Sequence, residues 1–367
     1  ANSVIVVCGD KSKVVSNSDM WETSTNYQTY QTQTTGFDGE GQITSAITYV
    51  TSENNPKVYW VTGHGEASES DLSTNFSDAV NKNNVEISDL ALMTDDIPED
   101  AEELVIMSPT TDFSEDEANE VITYLENGGK LLMFTSYTGT DMPNLDSILE
   151  NYGVKRSSGI VVETDSQHYY PQMPYYLLPN IQSDDITTEV KSNYILMPVA
   201  QAIQKLDSYR DTITIKSLLT TTEDAYIEND PENSTWSKSA DSETGAFDLG
   251  VSITETVDDK ETQIIYFSSA SMLSSQIDQA ISGANSKLAA TALTSMCDVE
   301  QTVVIPSTSY TNLVFTQGAV NTWSIITIAG IPLVLVVIGV MIWMKRRRKP
   351  RKDTILQKYS PTADFHE

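Results

Sequence analysis

Three histidines and two cysteines are all that 367 residues offer to metal or thiol chemistry. No CxxC or Cys/His spacing suggests zinc. Cys8 and Cys297 lie about 290 residues apart; an exported chain permits a disulfide, but this pair does not demand one. Each closes an apolar pattern, so both are expected as buried thiols. A Walker A loop is missing, which leaves any ATP hydrolysis to a partner. There is no internal repeat.

Positive charge is scarce except in one place. The chain carries 52 acidic and 22 basic side chains, a net charge of −30. Residues 345–367 hold eight of the basic side chains and three of the acidic ones, leaving 14 basic and 49 acidic in the rest. Such a body repels nucleic acid phosphates, so no nucleic-acid partner is expected.

Between the acidic body and the basic tail lie 23 residues without a charge, Thr322 to Met344. At about 1.5 Å per residue, a helix of that length spans a hydrocarbon core of roughly 30 Å. Trp323 and Trp343 sit near its ends, where interfacial aromatics belong, and Pro332 is tolerated inside such helices. The cluster Lys345–Lys352 places the tail in the cytoplasm by the positive-inside rule and the body outside. Residues 322–352 are therefore expected to contact membrane lipid. Export needs a signal, and none is visible: Ala1 is not an initiator methionine, and Val4–Cys8 is too short for a signal core. An upstream signal or first membrane helix is expected to precede Ala1.

The body reads as α/β, a mostly parallel sheet flanked by helices. Residues 1–56 give a short strand at Val4–Cys8, a polar loop from Lys11 to Gly39, and a helix face at Ile43, Ala46, Ile47 and Val50. Residues 57–165 alternate strand and helix. Strands are expected at Val58–Thr62, Val85–Met93, Leu104–Met107, Lys130–Phe134 and Gly159–Glu163. Ser114-Glu115-Asp116-Glu117 is a capping box opening a helix striped by Ala118, Val121, Ile122 and Leu125. Leu145, Ile148, Leu149 and Tyr152 stripe the next helix. Residues 166–300 complete the body less regularly. Val199, Ala202, Ile203 and Leu206 read as a helix stripe, and two strands meet at Asp258-Asp259-Lys260. Residues 301–321 form a stalk, 322–344 the membrane helix and 345–367 the tail.

In an open α/β sheet, ligands bind beyond the carboxyl ends of the parallel strands. Three such ends are polar here: Gly63-His64-Gly65-Glu66, Ser108–Asp112 and Thr135–Tyr137. Brought to one cleft, His64, Glu66, Ser108, Thr110 and Ser136 would hold a small polar ligand, a glycan or a peptide. The competing expectation is a turn made sharp by Gly63 and Gly65 at positive φ, with His64 and Glu66 bonded to neighbouring loops. A metal site would need His168 to fold back onto His64 and Glu66, and a calcium site would need Glu228–Asp230 or Asp241–Glu243. Neither is expected, nor is any cofactor. A hydrolase using Glu66 as base is the third alternative.

The ordered motifs together resemble the extracytoplasmic domain of gliding-motility-type auxiliary components of ABC transporters. The residues that carry the likeness are Val58-Tyr59-Trp60-Val61-Thr62-Gly63-His64-Gly65-Glu66, Asp96–Ala101 and Leu104–Pro109 with Asp112-Phe113-Ser114. Tyr124–Leu132, Asn144-Leu145 with Ile148 and Leu149, and Gly159–Val162 continue it. Thr262–Ser271 and the terminal apolar run complete it, so the likeness covers most of residues 40–345. It implies a class I glutamine-amidotransferase-like domain on a membrane-anchored, non-enzymatic subunit that docks to or gates an ABC permease and ATPase. The chain departs from an amidase of that fold: neither cysteine sits on a strand-to-helix elbow with a paired histidine.

Overall fold

The computed structural model of the protein describes residues 3–26, 31–52, 55–232, 235–297, 308–309 and 331–347. The chain falls into two units, Ala1–Ser309 and Tyr310–Glu367.

The first unit opens with the strand expected at Val4–Cys8 and continues with strands where the polar composition of Lys11–Gly39 predicted a loop. β1 (Ser3–Cys8) pairs antiparallel with β2 (Lys11–Ser16), and β3 (Trp21–Asn26) with β4 (Gln31–Phe37). β1 is mostly exposed despite its apolar run, and β3 and β4 are rich in Thr, so β-branched backbone preference contributes to these strands. Cys8 is exposed at the end of β1, not buried as its apolar run suggested. α1 (Gly39–Thr51) follows and buries Ala46 and Val50.

Strand and helix then alternate: β5 (Lys57–Thr62), α2 (Thr74–Lys82), β6 (Glu86–Ala91), β7 (Glu103–Met107), α3 (Glu115–Glu126), β8 (Lys130–Phe134) and α4 (Pro143–Asn151). β9 (Val154–Val162) is the strand expected at Gly159–Glu163, but its neighbours run antiparallel to it. Gly159 sits on it where a Cβ would meet the backbone carbonyl oxygen of Glu228 at 2.3 Å, so only glycine lets the neighbouring strand close in.

Short strands cover the next stretch: β10 (Tyr169–Tyr170), β11 (Met173–Leu177), β12 (Asn180–Ile181) and β13 (Met197–Pro198). β14 (Gln201–Lys205) is a strand, not the helix its spacing predicted. Gln201, Ala202 and Ile203 are all buried and the register shifts between Gln201 and Ile203, so no period-two signal survives. β15 (Ile213–Thr220) and β16 (Tyr226–Glu228) precede the long hairpin of β17 (Asp248–Val257) and β18 (Lys260–Phe267), which turns through Asp258 and Asp259, both at positive φ. α5 (Ser275–Ala280) and α6 (Ala284–Met296) close the body, and β19 (Thr308–Ser309) pairs back onto β4.

Five strands run parallel in the order β6-β5-β7-β8-β18, within a mixed sheet of eleven. The chain steps from β5 outward to β6, then crosses back to β7 on the other side. β5 and β7 therefore flank a topological switch point, the place where doubly wound sheets open a crevice.

The sheet is covered on both faces, and strict alternation distributes its side chains between them. Leu104, Ile106, Leu131, Met133, Ile264 and Tyr266 join one core with Val121 and Leu125 of α3 and Leu145, Ile148 and Leu149 of α4. Val105, Met107, Leu132, Phe134, Ile265 and Phe267 join the other with Phe76 and Val80 of α2 and Leu288 and Leu293 of α6. Each such side chain contributes about 1.5–3 kcal/mol by leaving water. Buried Asp278 ties the second layer together: it accepts from Ser73 Oγ, Asn75 Nδ2, and the backbone N–H and hydroxyl of Ser286.

In the second unit α7 (Ile331–Arg347) is helical, and its side chains from Pro332 to Lys345 are exposed. Among the described residues no helix is long and apolar enough to cross a membrane. The first part of the expected span, 322–330, lies outside the described residues, as do the stalk apart from Thr308 and Ser309 and the tail beyond Arg347.

Candidate functional site

The switch-point crevice is where the Gly-His-Gly-Glu turn falls. Gly63 and Gly65 have φ of +123° and +77°, so the chain reverses sharply after β5 as the glycines suggested. The loop after β7 closes over it: the backbone N–H groups of Thr110 and Thr111 both donate to the His64 carbonyl, at 2.9 and 3.0 Å. The Ala67 N–H donates to the Met107 carbonyl and Trp60 Nε1 to the Ala67 carbonyl. The two strand ends are laced to each other.

The side chains follow the backbone inward. The His64, Glu66 and Glu117 side chains are 5 %, 2 % and 8 % exposed. Glu66 accepts from its neighbour twice over, Oε2 from the His64 backbone N–H at 2.7 Å and Oε1 facing Nδ1 at 3.0 Å. On the opposite side of the ring, Nε2 lies 3.2 Å from Glu117 Oε1. That second approach is a close polar contact and not an aligned hydrogen bond, since Oε1 accepts none. The ring rests on Phe113, centroids 4.1 Å apart.

Glu117 reaches this position because it is the third residue of α3 and half of its capping box. Its Oε2 takes the Ser114 N–H at 2.8 Å while the Ser114 hydroxyl takes the Glu117 N–H. Burial pushes the Glu117 carboxyl up, but the Ser114 backbone and side chain and the His64 ring outweigh it and hold the group below its ordinary value. The capping box was legible in the sequence; its reach across to His64 was not, because nothing local joins the two.

Of the five sequence-derived ligand residues, the structure brings together His64, Glu66 and Thr110, whose hydroxyl also lies 3.3 Å from the His64 carbonyl. Ser108 and Ser136 form a separate pair at the ends of β7 and β8, Oγ to Oγ at 2.8 Å, with Ser108 at φ +54°. His168 stands apart, with Nδ1 on the Leu178 carbonyl at 3.2 Å. Among the described residues no group of three or more His, Cys, Asp or Glu converges as a metal ion requires. Glu66 and Glu117 face opposite ring nitrogens, so they cannot share one ion.

Open space lies elsewhere. A cavity of about 1080 Å³ sits at the amino ends of the parallel strands, lined by residues that include Pro56, Glu102, Tyr124 and Lys130. Behind it Glu103 is fully buried at the start of β7. Its Oε2 accepts from the Cys297 thiol at 3.3 Å and its Oε1 has no partner. Cys297 is thus buried, as expected, and bonded to a carboxyl and not to a histidine. A second, smaller cavity of about 340 Å³ follows the carboxyl end of β8.

The comparisons with known proteins give the assignment. A family model described as "ABC-type uncharacterized transport system" matches residues 55–295. No curated protein matches. Among solved structures, the mmIFT52 N-terminal domain is 14% identical with a TM-score of 0.48, over 65% of this chain and 96% of that one. Exo-beta-1,4-mannosidase Op5Man5 from Opitutaceae bacterium strain TAV5 is 12% identical with a TM-score of 0.34, over 66% and 36%. The family match takes in the whole parallel sheet, both laced loops and the helices that cover them, and the chain belongs to the ABC-type transport system family ABC_transp_aux.

Proposed function

We propose that the chain is a membrane-anchored, non-enzymatic subunit of an ABC transporter, whose acidic body docks to or gates the permease outside the cytoplasm. The observation that carries this reading is the closure of the switch point. His64 and Glu66 are spent on each other, on Glu117 and on the facing loop, so the turn works as a fastening for two loops. Among the described residues neither cysteine is bonded to a histidine: Cys297 bonds Glu103, and Cys8 is exposed at the end of β1. A surface with its crevice fastened shut is suited to contact with a partner subunit. ATP hydrolysis belongs to that partner.

The anchor is the uncharged run Thr322–Met344, of which α7 is the described part, with the basic cluster that follows it on the cytoplasmic face. The exposed Leu333, Val336, Ile338 and Trp343 are side chains a bilayer would cover. Protease added to intact cells is expected to digest the body and spare a tag placed after Glu367; loss of that tag before lysis would refute the orientation. Co-purification with a permease and an ATPase is the direct test of the assembly.

A further inference from the structure

The smaller cavity carries a site that the closed switch point does not. Its floor is a fixed polar web. Arg156, 6 % exposed at its side chain, holds both oxygens of Asp146 through Nε and Nη2, and Nη1 points at Gln201 Oε1 at 3.5 Å. Gln201 in turn donates from Nε2 to the Ser157 carbonyl. These groups cannot rearrange without leaving buried charge unpaired.

The rim is different. Asn229 accepts from the Ser158 hydroxyl through Oδ1 at 3.1 Å, and among the described residues its two N–H donors on Nδ2 have no partner. Tyr137 and Asp141 also line the cavity. Together these three present a phenol that donates, accepts and offers a ring face, a carboxylate that accepts, and an amide that donates. The Arg156 charge is already answered by Asp146, so Asp141 leaves the pocket net negative within a strongly negative body.

We infer that this cavity is a binding site for a neutral polyhydroxylated ligand, a sugar unit of one or two rings. Each ring hydroxyl donates and accepts at once, which matches a rim of mixed donors and acceptors over a fixed floor. The volume is at the small end of ligand sites. Phosphates and carboxylates are repelled by Asp141, and apolar ligands find little beyond the Tyr137 ring. Ser136, at the end of β8, is the residue before Tyr137 and does not itself line this cavity. The site is independent of the assembly proposed above.

The test uses the full chain in lipid nanodiscs, since glycoside detergents would compete. Glucose, galactose, mannose and N-acetylglucosamine are titrated to about 100 mM by ligand-observed NMR, with inorganic phosphate and diglycine as comparison probes. The expected result is saturable binding of at least one sugar, weakened about tenfold by Asp141→Asn and by Asn229→Ala, each the loss of one or two hydrogen bonds on the rim. The rim residues are exposed or half-buried, and thermal unfolding at the wild-type temperature verifies that the variants fold. Absence of saturable sugar binding, sugar binding indifferent to both variants, or preference for phosphate or diglycine would each overturn the assignment.

Discussion

A Cβ built on Gly65 would lie 2.1 Å from Oγ1 of Thr110. Two strand ends that flank a switch point usually leave room between them for a ligand; here the backbone of one loop touches the side chain of the other. The turn after β5 and the loop after β7 are therefore a joined pair. The carbonyl of His64, shared by two N–H groups, is their main bond.

Gly65→Ala is expected to destabilise the body by about 2–4 kcal/mol, from a Cβ at φ +77° and the collision with Thr110. Adding Thr110→Ala relieves the collision and leaves the backbone term. Urea denaturation of the two single variants and the double variant measures this directly. The double variant should be less destabilised than the sum of the singles.

His64→Ala removes the ring that separates Glu66 from Glu117 and leaves two nearly buried carboxylates facing a hole. A loss of about 2–4 kcal/mol follows. Glu117→Gln keeps the capping geometry and removes only the negative charge beside the ring, so its loss should be about 1 kcal/mol. Denaturant midpoints of the two variants should rank in that order. If both were neutral, the fastening role would be wrong.

Glu103 gives a pH dependence of a definite sign. Burial holds its carboxyl well above the ordinary value, against the smaller opposing effects of the Cys297 thiol and the Lys130 charge. The native state thus keeps a proton that the unfolded chain releases above about pH 4.5. Stability from this group is fully present below that pH and is lost as pH rises through the raised folded value. Glu103→Gln keeps an acceptor for Cys297 and abolishes the proton linkage. Its advantage over wild type should widen as pH rises from about 4.5 toward the raised folded value, at no more than about 1.4 kcal/mol per pH unit. A constant difference in urea midpoint across that range would contradict the buried, protonated carboxyl.

The parallel half of the body was legible because its signals are local. Leu104–Met107 and Lys130–Phe134 are short apolar runs, and Ser114 with Glu117 announces α3. Strand direction is not local, so β9 was placed among the parallel strands and β18 takes the position instead. At β14 three consecutive buried residues hide the period, and Val199 at φ +53° breaks the approach, so a helical spacing arose by coincidence. The site divides in the same way. Gly63 and Gly65 foretold the turn; Thr111, Phe113 and Glu117, which decide what the turn does, come from another loop and helix. The Arg156 floor was missed because its partners, Asp146 and Gln201, lie on separate elements and form no motif.

The assembly itself is the most direct test. The full chain, tagged after Glu367 and extracted from its native membrane in a mild non-glycosidic detergent, is captured and resolved by size and mass. The expected result is a complex in which an ABC permease and an ATPase are present in fixed proportion to the chain. Recovery of the chain as a lone, well-folded monomer under conditions that preserve other ABC assemblies from the same membrane would contradict it.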